Sequence, residues 1–236
     1  MQKLMSRMRA AMEKYDMIQD GDRIAVGLSG GKDSVALLAA LAEMRRFYPA
    51  SFELVAVTVD MRFDGVDTDY SVFEEFCKKI DVPYVIKRTE LADIIFNIRK
   101  ESNPCSLCAK MRRGILHDIA LENGCNKVAL GHHMDDAVET FFMNLLKGGN
   151  ISSFFPVTYM SRKNLYIIRP MVLASESLVV GAVKHFDLPV EKSKCPMDKT
   201  SEREKTKDLV KMLNKEYPQL REKVIGAMQR RGIDNW

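Results

Sequence analysis

The stretch "SGGKDS", Ser29 to Ser34, puts two glycines, two hydroxyls, a lysine and a carboxylate directly after the apolar run "RIAVGL". Gly30 and Gly31 let backbone N–H groups come close to an anion. Ser29 and Ser34 add hydroxyl donors, and Lys32 adds a positive charge. A helix begun at Asp33 aims its positive end at the same spot. This is the chemistry of a phosphate cradle. It is not a Walker loop, which sets four residues between its first Gly and the Gly-Lys pair and then needs Ser or Thr. Gly27 to Gly31 encloses only about three, and Asp33 follows Lys32. A tight turn capped by Ser and Asp uses the same residue types. The density of donors favours phosphate.

A second cluster is "LGHHMDD", residues 130–136. Gly131 permits close backbone approach. Asp135 and Asp136 fall at a predicted helix start, where carboxylates suit Mg²⁺, a hard ion that prefers oxygen ligands and nucleotide phosphates. Capping by Asp135 is the alternative. His132 and His133 read as packing or supporting residues, and Glu139 and Thr140 as helix surface. The third cluster is Cys105 and Cys108 in "NPCSLCAKMRRGIL". A CxxC ahead of a basic helix suits a zinc half-site, a redox pair or part of an iron–sulfur site. Zinc needs four ligands as a rule, and there is no second CxxC. Cys195, in "KSKCPMD", is the nearest further thiol in a plausible setting. Cys77 and Cys125 sit in apolar, helix-like contexts and read as buried thiols.

These residues need a frame. The runs 23–28, 52–60, 82–87 and 126–133 read as strands, with 165–170 as a fifth. Helices are expected over about 33–46, 69–80 and 135–146. Alternating strands and helices predict an α/β fold, a Rossmann-like parallel sheet with helices on both faces. Such sheets bind ligands at the carboxyl ends of their strands. The glycine loop, Asp60 and "GHHMDD" all fall there. The stretch 91–108 reads as irregular, and the charge-rich tail as one or two surface helices. Leu4, Met8, Met12 and Tyr15 make one stripe of an N-terminal helix. Three segments are expected: the helix of residues 1–20, a nucleotide domain over 21–190 carrying the CxxC, and residues 191–236 with the third cysteine and a helical tail.

The chain has 236 residues, 46% hydrophobic and 29% charged, so a packed globule is expected. No apolar run approaches the roughly 18–20 residues that span a bilayer, and no continuous signal core is present. A cytoplasmic protein with no membrane partner is expected. The net charge of +4 permits a polyanionic partner without demanding one. Five cysteines, an odd count, argue against a disulfide framework.

"SGGKDS" resembles the pyrophosphate loop of the ATP pyrophosphatase (PP-loop) superfamily. "LGHHMDDAVETFFMNLLKGG" resembles its tRNA-modifying branch, which includes the tRNA-lysidine synthetases and the tRNA 2-thiolation enzymes. "PCSLCAKMRRGIL", "IIRPM" and "KDLVKMLNKEYPQLREKVIGAMQ" are similar to the tRNA 2-thiocytidine biosynthesis proteins, over a span from about Asp20 to about Gln229. In that family the third cluster cysteine follows the RP strand and a helix, and Cys195 holds that place. The resemblance implies ATP, Mg²⁺ and a [4Fe–4S] cluster on Cys105, Cys108 and Cys195. It implies adenylation of the C2 oxygen of a tRNA pyrimidine, cytidine 32 foremost, and its replacement by sulfur. Ser29, Gly30, Gly31, Lys32, Asp33, Ser34, Gly131, Asp135 and Asp136 would bind the nucleotide. Lys32, Asp60 and Asp135 would be catalytic. Lys110, Arg112, Arg113 and tail lysines would meet tRNA phosphates. A cysteine desulfurase or free sulfide would donate the sulfur, and a homodimer stays open. Rival readings are a cluster-free lysidine-synthetase-like ligase, thiolation of a uridine or a small molecule, and a zinc- and nucleotide-binding module without turnover.

Overall fold

The computed structural model describes residues 1–99, 104–191, 195 and 202–236. Elements run α1 (Gln2–Lys14), β1 (Asp22–Gly27), α2 (Lys32–Met44), β2 (Phe52–Asp60), α3 (Ser71–Lys79), β3 (Tyr84–Arg88), α4 (Leu91–Asp93) and α5 (Pro104–Glu122). They continue with β4 (Lys127–Ala129), α6 (Met134–Gly148), β5 (Val157–Met160), β6 (Leu165–Ile168), α7 (Glu176–His185), α8 (Glu202–Glu216) and α9 (Leu220–Arg231).

Among the described residues, six strands form one sheet in the order β3-β2-β1-β4-β6-β5. Every pairing is parallel except β5 with β6. β1 lies centrally, with Ala25 opposite Val55 of β2 on one side and Val128 of β4 on the other. The chain winds outward from β1 through β2 and β3, then returns to β4 on the other flank. The reversal leaves a crevice between the carboxyl ends of β1 and β4, where open α/β sheets bind ligands. β1 and β2 are almost continuously buried, as strands covered on both faces must be.

One apolar core ties the ends of the chain to the centre. Leu4, Met8 and Met12 of α1 share it with Val35, Leu37 and Leu41 of α2, and with Ile225 and Met228 of α9. Trp236 joins them and donates its indole N–H to the Phe154 carbonyl at 2.8 Å. The tail expected as surface helix is therefore pinned. Its buried Val210, Ile225, Met228 and Trp236 are spaced too widely among charges to announce themselves. A second cluster, with Val55, Val57, Val128 and Leu116, fills the opposite face.

Three local differences from the sequence reading have clear causes. β4 stops at Ala129, although the apolar run suggested a strand to His133. Gly131 abuts the backbone of Asp33 and Ser34, so the chain leaves the sheet to meet the glycine loop. The CxxC lies in the first two turns of α5, not in an irregular stretch; the described part of that helix begins at Pro104, whose missing N–H costs little at a helix start. β5 went unseen because "VTYM" is a four-residue edge strand. Among the described residues, no helix is long and apolar enough to cross a membrane.

Candidate active site

The glycine loop connects β1 to α2, and Gly31 stands at the helix N-terminus. Gly30 has φ +82°, a conformation that favours glycine, and a Cβ there would meet the Phe73 ring at 3.2 Å. The loop's shape is held from within. The Ser29 N–H donates to Ser34 Oγ at 3.1 Å, and Ser34 Oγ donates to the Gly31 carbonyl at 2.9 Å. From outside, the Glu191 N–H donates to the Gly30 carbonyl at 2.9 Å. Glu191, past the end of α7, is thereby fastened to the loop. Gly131 closes the other side: a Cβ on it would lie 3.0 Å from the Asp33 carbonyl carbon.

Lys32 Nζ bonds both Asp33 carboxylate oxygens at 2.9 Å and reaches Glu176 Oε1 at 3.1 Å. Burial alone would lower the Lys32 pKa, but Asp33 and Glu176 outweigh it and raise it. Lys207 of α8 donates to the same Glu176 oxygen at 3.0 Å.

The expected cap of α6 is different in kind. His133 is the N-cap and Asp136 its reciprocal partner: the His133 N–H donates to Asp136 Oδ2 at 2.9 Å, and the Asp136 N–H to His133 Nδ1 at 3.4 Å. Asp135 instead accepts the Glu176 N–H at 2.7 Å on Oδ2 and pairs through Oδ1 with Arg221 at 2.6 Å. It therefore serves the start of α7, whose Ser175 makes no side-chain cap bond. Arg203 reaches Asp136 at 3.6 Å and donates to Thr140 at 3.0 Å. A cleft of about 730 Å³ opens beside Asp135 and Glu176, walled by α7 and the α8–α9 turn.

Glu139 is not helix surface. It is 3% exposed, and burial foremost, then Asp136, pushes its carboxyl up to about 7 against the pull of Lys207 and Arg203. A folded pKa above the unfolded value of about 4.3 means that this group's stabilising contribution is complete below about pH 4. It is lost as pH rises towards 7, by up to about 4 kcal/mol. Glu139→Gln should flatten that part of the pH–stability curve in denaturant unfolding between pH 4 and 8; an unchanged slope would contradict this assignment. His132 is half-buried, with its Nδ1 enclosed. Burial, then Arg169, pushes it down to about 4, and its ring packs on Phe154 at 5.1 Å, so it is a neutral packing residue.

Asp60 lies at the end of β2, buried, and accepts the N–H groups of Arg62 at 3.0 Å and Thr68 at 3.1 Å. It orders the loop beyond that strand. Next to it, Met61 lies in a small apolar cluster that Leu107, Cys108 and Met111 pack against. This places the CxxC at the same sheet edge. Cys105 is exposed, while Cys108 and Cys195 are half-buried. Burial foremost pushes the Cys108 thiol up; Arg112 opposes it, and Cys195 and Cys105 add to it. Cys105 and Cys195 therefore each lie within electrostatic reach of Cys108. Among the described residues, no group of three or more His, Cys, Asp or Glu side chains is gathered tightly enough for a single metal ion. An iron–sulfur cluster is larger, and each cysteine holds a different iron, so its ligands stand further apart. Three thiols beside Arg112 and an apolar wall fit such a group. Cys77 and Cys125 are buried and far from this role, as their contexts suggested.

Sequence reasoning missed Glu176, Arg203, Lys207 and Arg221. The three cations lie in the tail, where charges looked like solvated helix surface or phosphate contacts. Lys207 in fact serves a carboxylate of the site. Lys110, Arg112 and Arg113 do lie exposed on α5.

The sheet, the crevice and the glycine loop together define an α/β protein built to hold a polyphosphate. Residues 2–207 match the PP-loop domain model. The chain is 40% identical, over 92% of its length and 85% of the relative's, to the tRNA-cytidine(32) 2-sulfurtransferase of Syntrophotalea carbinolica. It is 37% identical to that of Pelobacter propionicus, over 95% of this chain and 86% of the relative. Its fold matches the U34-tRNA thiolase NcsA from Methanococcus maripaludis, solved with its [4Fe–4S] cluster, at a TM-score of 0.77 and 26% identity. That match covers 95% of this chain and 77% of the thiolase. The chain belongs to the PP-loop family, in the branch of the tRNA 2-thiocytidine biosynthesis proteins.

Proposed function

We propose that this protein is an ATP-dependent tRNA sulfurtransferase that converts a pyrimidine, cytidine 32, to its 2-thio form and releases AMP and pyrophosphate. The observation that carries the reading is the placement of two chemistries on one sheet edge. The phosphate loop and the helix carrying Cys105 and Cys108 share it, and Glu191 is tied to Gly30.

ATP lies with its β- and γ-phosphates on residues 29–34, under the N–H groups at the start of α2. The C2 oxygen of the base attacks the α-phosphorus, and pyrophosphate leaves into the loop. Lys32 stabilises the charge that develops there. Sulfide then attacks C2, the C–O bond breaks, and AMP departs with that oxygen. When bound by Cys105, Cys108 and Cys195, a [4Fe–4S] cluster would supply an iron position without a cysteine ligand for inorganic sulfur. Arg112 offsets negative charge at these thiols. Asp60 keeps the loop after β2 in place at the mouth of the site.

Mg²⁺ would arrive as the counter-ion of ATP. Asp135 and Asp136 as they stand do not fit it, because Arg221, Arg203 and backbone N–H groups already engage their oxygens. No step here is routed through that ion. The tRNA phosphates meet the exposed Lys110, Arg112 and Arg113. The sulfur comes from a cysteine desulfurase or free sulfide. The enzyme works in the cytoplasm, and a homodimer is compatible with this scheme.

Gly131→Ala tests the loop's support. The new Cβ would press on the backbone of Asp33 and Ser34 at 3.0–3.1 Å, and neither can give without moving the loop. ATP should bind at least about 10-fold more weakly by equilibrium titration; unchanged affinity would remove Gly131 from the site. The function itself is tested with anaerobically purified protein, tRNA lacking the modification, ATP and sulfide. The expected result is AMP and thiolated tRNA in equal amounts. AMP without thiolation would indicate a different acceptor.

A further inference from the structure

We infer that Glu176 is a positioning residue of the phosphate loop, holding the Lys32 ammonium in place and bridging it to Lys207 on α8. The inference rests on the ATP reading above and extends it to a side chain that no motif marks.

The geometry is a chain of charges across helices. Lys32 Nζ stands 2.9 Å from the Asp33 oxygens and 3.1 Å from Glu176 Oε1. That same oxygen accepts Lys207 Nζ at 3.0 Å. Glu176 is fixed through its backbone as well, since its N–H donates to Asp135 Oδ2 at 2.7 Å. Asp33 follows Lys32 in the same helix turn and moves with it. Glu176 stands on α7, a different element, and so can fix where the ammonium points. Lysine is a flexible point charge and needs such a reference. A bare carboxylate near a triphosphate would repel it. Lys207 offsets that charge, so Glu176 can orient Lys32 without opposing the ligand.

The charge states agree. Burial would raise the Glu176 carboxyl, but Lys207 and Lys32 hold it down at about 2. Charged groups facing Lys32 are Asp33 on α2, Glu176 on α7 and Lys207 on α8, with His133 3.6 Å beyond Asp33. Of these, Glu176 alone touches both lysines.

The test is Glu176→Gln in the full chain, which keeps the shape and removes the charge. ATP affinity should stay within about 3-fold, while kcat for AMP formation with tRNA and sulfide falls about 10- to 100-fold. The alkaline limb of the rate profile should also move to lower pH, because Lys32 loses a carboxylate that raises its pKa. Lys207→Met should give a smaller fall in the same direction, and thermal melts report whether both variants fold. If Glu176 is merely structural, the melting temperature falls while kcat and the pH profile of the folded protein stay unchanged; that result overturns the proposal alone. A wild-type protein that forms no AMP overturns the ATP reading and the proposal with it.

Discussion

Cys195→Ala abolishes sulfur transfer to tRNA, by at least about 100-fold, and leaves ATP affinity at its wild-type level. Loss of a direct cluster ligand should cost no less than the 10- to 100-fold typical of supporting residues. Cys195 is half-buried and lies near enough to Cys108 to oppose the ionisation of its thiol, and in the proposed scheme it is the third ligand. The bond on the phosphate loop nearest in sequence is the Glu191 N–H to the Gly30 carbonyl, a backbone contact that the substitution leaves alone. The two halves of the reaction therefore separate. Iron content and the visible absorption of the purified protein should fall with thiolation, while ATP titration should not. Retained thiolation would remove Cys195 from the ligand set and end the three-cysteine account.

Lys32→Met lowers the rate of AMP formation by about 10²- to 10³-fold, the range for removing one preorganised charge from a developing anion. The side chain is held by two carboxylates, and its pKa is raised, so it is cationic at neutral pH. Methionine keeps the stem and removes the charge. Asp33 and Glu176 then face the phosphates with less compensation, so ATP also binds more weakly. Lys32→Arg keeps the charge but not the compact ammonium, and should recover only part of the rate. The measurement is single-turnover ATP cleavage with tRNA present. A Lys32→Met protein with a wild-type rate would show that the loop binds phosphate without assisting its departure.

The parts legible in the sequence were those written in local pattern. β2 appears as the run 52–60, because a strand buried on both faces is nearly all apolar. The glycine loop and α2 appear because glycines, hydroxyls and a following apolar helix sit side by side in the chain. The convergence of that loop with residues 131–136 follows from parallel topology alone. What stayed hidden depends on contacts between distant segments. Asp135 reads as a metal ligand or a cap, yet it caps α7 and pairs with Arg221, 86 positions later in the sequence. His133 hides as a capping residue because histidine is not a preferred N-cap. Glu139 reads as surface until α8 covers it with Lys207 and Arg203. Glu176 carries no signal: one glutamate in a first helical turn is ordinary, and only the fold sets it between two lysines.

The central claim is that this chain puts sulfur on a tRNA pyrimidine. The most direct test is mass spectrometry of tRNA nucleosides from cells with and without the gene, and from the deletion strain carrying Cys195→Ala. The account predicts that 2-thiocytidine disappears in the deletion strain, returns with the wild-type gene and does not return with the variant. An undiminished set of thionucleosides in the deletion strain would contradict it.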